Sequence, residues 1–187
     1  MEVVGPSGVF KAASAEQKGS LLKAMSELFY TMHRVGVLHG DAHSGNVLYK
    51  VPRAAADSEA AVFSGQFRLI DFEGAQIMSN PATELMRNYL FMDFSDAVMP
   101  LCQAMFNSPF EEPLQDLAAT LQGVCKSFFR VRKQEKAEEM DVLKLEEHMS
   151  KGEWVAAAAM CDKAAPPPRA QAAKPAGGAA GLLSLFQ

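Results

Sequence analysis

Two short stretches, VLHGDAHSGN at residues 37–46 and LIDFE at residues 69–73, decide the fold predicted for this chain. The first stretch leads into VLYKV at residues 47–51, and the second begins within FRLI at residues 67–70. Short runs rich in Val, Ile, Phe and Tyr are typical of β-strands. We therefore predict a β-hairpin with a long connection over residues 52–65, and both polar stretches lie where its two strands meet the rest of the chain.

The segment before the first stretch is predicted to be a helix. Ser14 and Gln17 have the spacing of a capping box, in which a hydroxyl and an amide side chain bind each other's backbone N–H. Gly36 is expected to end the helix, because glycine commonly follows the last turn. Between these ends, five apolar residues at helical spacing form one stripe: Leu21, Met25, Leu28, Met32 and Val35.

Further helices are predicted in the second half of the chain. Asn80 followed by Pro81 is typical of a helix start. Residues 130–151 carry dense charges of both signs, which predicts an exposed helix stabilised by side-chain pairs. Helices and a single hairpin together predict a mainly helical α+β fold. Between the predicted start at Asn80 and the charged segment, another helix would bury one apolar face: Leu114, Leu117, Leu121, Val124 and Phe128.

Composition and charge narrow the class of protein. The chain has 187 residues, of which 49% are hydrophobic, and its net charge is −4. It therefore has the apolar content of a globular domain and no basic excess that would indicate nucleic-acid binding. No apolar run reaches the ~18 residues of a membrane span. Three widely spaced cysteines suit a reducing compartment, so we expect a cytoplasmic protein.

The C-terminal segment differs in composition from the rest of the chain. Residues 156–187 are rich in Ala, Pro and Gly, and they include a run of three prolines at residues 166–168. Such a segment offers few large side chains to bury. We therefore predict a folded domain over residues 14–155 and a largely disordered tail over residues 156–187.

The polar residues of the two stretches fit phosphoryl transfer when they are considered together. Singly, Asp41 is typical of a turn and Asp71 of a solvated strand end. Phosphoryl transfer needs a carboxylate near the acceptor hydroxyl and oxygen ligands that hold Mg²⁺ against the phosphates. Asp41 could supply the former, and Asn46 with Asp71 could supply the latter.

At these residues the chain resembles the C-terminal lobe of the protein-kinase-like superfamily. The resemblance implies that Asp41 is the catalytic base, and that Asn46 and Asp71 bind Mg²⁺ and with it ATP. It implies that His39 is a structural packing residue. Asp93 would match the helix aspartate that braces the catalytic loop, although an exposed charge is the alternative at this position.

Two departures from ordinary protein kinases narrow the resemblance. His43 stands where Ser/Thr kinases have a lysine, and Asp71 is followed by Phe72 and Glu73 instead of Phe-Gly. Only residues 74–79 precede the predicted helix start, which leaves little room for a long activation loop. The pattern is most similar to aminoglycoside phosphotransferases, choline kinases and atypical kinases. A small-molecule hydroxyl is therefore the favoured acceptor, and protein Ser/Thr is the second choice.

The N-terminal segment resembles the hinge that joins the two lobes of these enzymes. Under this resemblance residues 1–13 form a hinge-like segment in which Glu2 and Val4 contact the nucleotide. The N-lobe, with its Gly-rich loop and lysine, would then be absent, so that the chain would be either truncated or a genuine half-kinase. The alternative function is an inactive pseudokinase that binds a protein partner through its helical surface or its Pro-rich tail.

Overall fold

The computed structural model describes residues 3–4, 14–43, 45–50, 66–78, 84–107, 115–134 and 140–164. Within these ranges the fold is a mainly helical α+β fold, as predicted. Five short strands and a 3₁₀ turn at Phe72–Gly74 accompany the helices. The helices are α1 (Ala15–Arg34), α2 (Glu84–Asn107), α3 (Gln115–Gln134), α4 (Val142–Lys151) and α5 (Trp154–Ala164). The strands are β1 (Val3–Val4), β2 (Val37–Leu38), β3 (Val47–Lys50), β4 (Gln66–Leu69) and β5 (Gln76–Ile77).

The strands form two small antiparallel sheets. One has the order β1-β3-β4, and the other pairs β2 with β5. The predicted hairpin is confirmed, since Val47 pairs with Leu69 at one end of the β3–β4 ladder and Lys50 pairs with Gln66 at the other. The connection over residues 52–65 lies outside the described residues.

Helix α1 begins where its sequence predicts and ends at Arg34, two residues before the predicted end at Gly36. The Ser14 hydroxyl accepts from Gln17 N at 3.3 Å, and the Gln17 side chain accepts from Ser14 N at 2.6 Å, which completes the capping box. Gly36 follows the helix with a φ of +83°. The predicted stripe is buried or partly buried except at Val35, which is 66% exposed because the helix has already ended at Arg34.

Helices α2 and α3 supply much of the remaining core. The predicted start of α2 at Asn80 lies outside the described residues, and the described helix runs from Glu84 through Pro100 to Asn107. The predicted face of α3 is confirmed at its centre. The aromatic rings of Phe91, Phe94 and Phe128 meet where these two helices cross, with centroids 5.1 and 5.8 Å apart.

The prediction that the charged segment forms an exposed helix is wrong for α4. This helix packs against α1 and α2, and four of its side chains are buried. Its charged residues flank an apolar stripe at helical spacing, which is the pattern of a helix with one buried face. The buried side chains are Val142, Leu145, Glu146 and Met149.

The predicted start of the tail at residue 156 is also wrong. Residues 154–164 form α5, which packs against α3 and α4 and buries Ala157, Cys161 and Ala164. Alanine is the strongest helix former, and its small side chain lets two helices approach closely. The folded unit therefore continues at least to Ala164, and residues 165–187 lie outside the described part of the chain. Among the described helices, none is long and apolar enough to cross a membrane.

Replacing Leu145 with Ala tests the burial of α4. Leu145 is fully buried, so we expect the free energy of unfolding to fall by about 2–5 kcal/mol. Val155→Ala is the control, because that side chain is 75% exposed and its loss should change stability very little. Urea denaturation followed by circular dichroism measures both. Equal effects of the two substitutions would contradict the packing of α4.

Candidate functional site

Two loops meet at the base of the hairpin. Loop A spans residues 39–46 between β2 and β3, and loop B spans residues 70–75 between β4 and β5. Residue 44 of loop A is outside the described part of the chain. Because β2 pairs with β5 and β3 pairs with β4, each loop is held at both ends beside the other. The sequence prediction that the two polar stretches come together is therefore confirmed.

Hydrogen bonds connect the two loops directly. The backbone N–H of Ile70 donates to the carbonyl of Asn46 at 3.0 Å, continuing the hairpin ladder by one bond. His39 is fully buried, and its Nε2 lies 2.9 Å from the carbonyl oxygen of Ile70. Its ring also contacts the Phe72 ring, with centroids 4.5 Å apart. His39 thus has the packing role that the sequence predicted.

Gly40 allows the loop backbones to approach closely. Its φ is +83°, a region that other residues adopt only at a cost. A Cβ atom at this position would lie 2.4 Å from the carbonyl oxygen of Gly74 in loop B. Both the conformation and the available space therefore require glycine at position 40.

The buried carboxylate of Asp93 fixes the start of loop A. Asp93 lies on α2, and its Oδ2 accepts from His39 N at 2.7 Å while its Oδ1 accepts from Gly40 N at 2.9 Å. The residue is only 5% exposed. Of the two sequence interpretations of Asp93, the bracing residue is confirmed and the exposed charge is wrong.

His33 and Glu146 extend this arrangement into the core, and the sequence analysis missed both. His33 Nε2 lies 3.1 Å from Asp93 Oδ2, and His33 Nδ1 lies 2.6 Å from Glu146 Oε1. All three side chains are buried. A signal for them was present, because His33 follows Phe29 by four residues on the buried face of α1, and Glu146 interrupts the apolar stripe of α4.

The two carboxylates determine the protonation of His33. Burial alone lowers the pKa of an imidazole, but the negative charge of Glu146 and the hydrogen bonds to Asp93 and Glu146 outweigh this and raise the pKa of His33 to about 9. Burial also raises the pKa of the Glu146 carboxyl, and the charge of His33 opposes this. Both shifts favour keeping a proton within the pair at neutral pH.

Three polar side chains of loop A, those of Asp41, His43 and Asn46, form a small network. The amide Nδ2 of Asn46 donates to the carbonyl of Asp41 at 2.9 Å and lies 3.4 Å from Asp41 Oδ2, so the amide oxygen of Asn46 is the end left for a ligand. His43 Nδ1 accepts from Gly45 N at 2.9 Å. In the neutral ring the proton is therefore on Nε2, which lies 3.7 Å from Asp41 Oδ2. The carboxylate of Asp41 is exposed to solvent.

Asp71 has an unusual backbone conformation. Its φ of 61° and ψ of 64° lie in the left-handed region, and no other described non-glycine residue has a positive φ. Such conformations cost free energy and cluster at functional sites, although aspartate tolerates them better than most residues. This turn ends the run of β4 and exposes Asp71 at the start of loop B, next to the buried ring of His39.

The two predicted nucleotide-binding residues of the N-terminal segment have different outcomes. Glu2 lies outside the described residues. Val4 lies in β1, where it pairs with Tyr49 of β3. Tyr49 is three positions along the strand from Asn46, which corresponds to about 10 Å. Val4 therefore lies in the sheet whose strand β3 directly follows Asn46.

The donor atoms suit a magnesium ion. Asn46 provides an amide oxygen and Asp71 a carboxylate on neighbouring loops, and both are the hard oxygen ligands that Mg²⁺ prefers. Within the described ranges, no group of three or more His, Cys, Asp or Glu side chains is arranged to hold a metal ion. A magnesium ion at Asn46 and Asp71 would thus also need phosphate oxygens and water, which is its common mode of binding.

Comparisons of this chain with protein-family models, with curated proteins and with solved structures find no match. The assignment of a function to the two loops consequently depends on their own geometry and on the motif resemblance.

Replacing Gly40 with Ala tests the close approach of the two loops. We expect a loss of stability of roughly 1–3 kcal/mol, because the new Cβ would strain the backbone and collide with Gly74. Gly123→Ala is the control, since a Cβ there meets nothing within 4 Å and lies in α3. That substitution should raise stability by about 0.5–1 kcal/mol. If both variants were stabilised in urea denaturation, the described contact between the loops would be wrong.

The pKa of His33 predicts how stability depends on pH. The proton is bound more tightly in the folded chain, so its contribution is fully present below pH 6.5 and is lost as the pH rises through about 9. The difference corresponds to roughly 3 kcal/mol. Urea denaturation at several pH values in this window should therefore show a falling free energy of unfolding.

His148→Gln serves as the control for that measurement, because His148 lies at the surface end of α4, where it pairs with Glu153. This variant should keep the pH dependence of the unmodified chain. A free energy of unfolding that stays constant from pH 6.5 to 9 would rule out a charged His33.

Proposed function

We propose that this chain carries the catalytic half of an ATP-dependent phosphotransferase of the protein-kinase-like superfamily. The observation that supports this most strongly is the pairing of loops A and B, which places Asp41 and Asn46 beside the turn of Asp71. The motif resemblance assigns chemistry to these same three residues. The buried brace from Asp93 is a second point of agreement between the resemblance and the geometry.

Asp41 has the position of the group that orients the acceptor. Its carboxylate is exposed, so an incoming hydroxyl can reach it and donate a hydrogen bond to it. Its backbone carbonyl is bound by the amide of Asn46, which fixes the residue relative to β3. In the proposed reaction Asp41 aligns the acceptor oxygen and takes its proton as the oxygen forms its bond to the γ-phosphorus of ATP. The bond from that phosphorus to the β–γ bridging oxygen breaks at the same time, and ADP leaves.

Asn46 and Asp71 would hold the magnesium ion that accompanies ATP. Bound Mg²⁺ neutralises the charge of the phosphates during transfer. The protein contributes the placement of the two oxygen donors. Asn46 is held by the hydrogen bond that its amide donates to the Asp41 carbonyl and by the one that its own carbonyl accepts from Ile70 N. Asp71 is held by its left-handed turn between β4 and the following 3₁₀ helix.

A small-molecule hydroxyl is the acceptor that the surroundings of the site favour. Residues 78–83 alone separate β5 from α2, so the chain has little length there for a peptide-docking segment. His43 occupies the position of the protein-kinase lysine, and its Nε2–H near Asp41 could donate to a polar acceptor or to phosphate. Protein Ser/Thr remains the second choice of acceptor.

The competing proposal is an inactive binding module. It is favoured by two exposed apolar side chains near the β2–β5 pair, Val35 and Ile77, which are 66% and 88% exposed. A partner protein would cover this patch. The two proposals differ in whether loops A and B bind a metal–nucleotide complex.

Titration with Mn²⁺–ATP tests the proposed site. Mn²⁺ replaces Mg²⁺ at oxygen sites and broadens the NMR signals of nearby nuclei, so the signals of Asn46 and Asp71 should be lost first. Asp71→Asn removes a charged ligand, so the Mn²⁺ concentration that gives the same broadening should rise at least about tenfold. Glu73→Gln is the matched control, since it removes an exposed carboxylate two positions away. Equal broadening in both variants, or none in the unmodified chain, would contradict the proposal and favour the binding module.

Turnover separates the role of Asp41 from that of Asp71. With γ-labelled ATP and a panel of hydroxyl compounds, Asp41→Asn should lower kcat by about 10²–10⁴-fold and leave the binding of Mn²⁺–ATP nearly unchanged. If transfer is observed and Asp41→Asn leaves kcat unaltered, Asp41 is not the base.

A further inference from the structure

A chain of buried polar contacts leads from helix α4 to loop A. Glu146 Oε1 lies 2.6 Å from His33 Nδ1, and His33 Nε2 lies 3.1 Å from Asp93 Oδ2. Asp93 then accepts from the backbone N–H groups of His39 and Gly40. Glu146 and His33 are fully buried, and Asp93 is nearly so. No side chain of loops A or B contacts Glu146 directly in the described hydrogen bonds.

The contacts define where protons must be. Each nitrogen of His33 faces a carboxylate oxygen, and each of these two contacts needs one proton between its partners. Either the ring carries both protons between two carboxylates, or a neutral ring accepts from a protonated Glu146 and donates to Asp93. Both arrangements hold two protons and one net negative charge. Losing one proton would leave a lone pair of the ring facing a buried carboxylate oxygen.

The contact with His33 uses only one of the two carboxylate oxygens of Glu146. Its Oε2 is buried and has no hydrogen-bond partner among the described residues. An unpartnered carboxylate oxygen in the core is expensive, and burial raises the pKa of the group. Among the described residues His33 is the polar partner of Glu146, so the charged form of Glu146 is stabilised by that contact only if His33 is charged too. The charge of the Glu146 carboxylate and the charge of the His33 ring therefore depend on each other.

We infer that Glu146 and His33 are positioning residues for loop A, because they set the orientation of the Asp93 carboxylate that accepts hydrogen bonds from its backbone. This inference concerns the site of the proposed function and assigns a role to a helix far along the chain. Loss of the proton on Nε2 would leave the lone pair of the ring facing Asp93 Oδ2 at 3.1 Å, and the repulsion would shift the carboxylate from the position in which it accepts from His39 N and Gly40 N.

The groups that face His33 come from two helices besides its own. Asp93 approaches from α2 and Glu146 from α4, and Asp141 at the start of α4 adds negative charge beside Glu146. The edge of the Phe29 ring on α1 closes another side of the imidazole, with ring centroids 5.5 Å apart. Asp93 and Glu146, the two groups that face the ring directly, both raise the pKa of His33.

An NMR titration of the full chain tests the inference without any assay of activity. The imidazole signals of His33 and the backbone amide signals of His39 and Gly40 are followed together from neutral to alkaline pH. We expect the two amides to move with the same midpoint as the ring. Amide signals that do not change with the ring would overturn the inference, and this measurement needs no variant.

The Glu146→Gln variant then tests whether Glu146 of α4 contributes to the change in the His39 and Gly40 amides, while Asp93 is left in place. Removing an opposite charge at hydrogen-bond distance should lower the His33 midpoint by about 1–3 pH units, and the amide midpoints of His39 and Gly40 should fall with it. Glu147→Gln is the matched control, since Glu147 is on the same helix, lies at the surface and pairs with Lys151. A lowered His33 midpoint with unchanged amides would also overturn the inference.

The outcome is independent of whether the chain transfers phosphate. If Mn²⁺–ATP fails to bind while the amides of loop A follow His33, the proposed function is wrong and the positioning role stands. If ATP-dependent transfer is observed, Glu146→Gln should lower kcat at alkaline pH by more than it changes KM, and Glu147→Gln should change neither. A merely structural Glu146 would give the same pH profile in both variants.

Discussion

The hydrogen bonds from loop A to the buried carboxylate of Asp93 are the constraint on which the site depends. Asp93 belongs to the core helix α2, and it accepts from two consecutive backbone N–H groups at 2.7 and 2.9 Å. Loop A is thereby tied to a buried face of α2. Asp41 follows Gly40 immediately, so the hydrogen bond from Gly40 N to Asp93 also restricts the position of Asp41. Asn46 and loop B are then placed through Asp41 and the hairpin ladder.

Burying three ionisable side chains together has a cost that their mutual contacts must offset. Removing charges from water costs several kcal/mol per ion, and removal of a single partner from such a group commonly destabilises by about 3–5 kcal/mol. Such an arrangement is weak support for stability alone. Here it joins α1, α2 and α4 at one point and fixes the backbone of a polar loop, which an apolar core residue could not do.

Local patterns in the sequence predicted local features of the fold well. The capping box of α1, the hairpin, and the meeting of the two polar stretches follow from cap chemistry and strand periodicity, which act over a few residues. Asp93 was recognised as a brace only through the motif resemblance. His33 and Glu146 were missed because their partners are 60 and 113 positions away along the chain.

The errors at α4 and α5 have a similar origin. Dense charge of both signs predicts an exposed helix, whereas α4 buries four side chains and packs on α1. Alanine-rich composition predicts disorder, whereas Ala157, Cys161 and Ala164 are buried in α5. In both segments the folded state is decided by neighbouring helices, whose positions the sequence alone does not reveal.

The most direct test of the account compares amide hydrogen exchange in two variants of α2. Asp93→Asn weakens the brace, while Asp96→Asn removes a half-exposed carboxylate one turn further on that pairs with Arg132. We predict that exchange at His39 and Gly40 becomes at least about tenfold faster in Asp93→Asn than in Asp96→Asn, after correction for global stability. Equal exchange at these two amides in both variants would contradict the claim that Asp93 holds loop A in place.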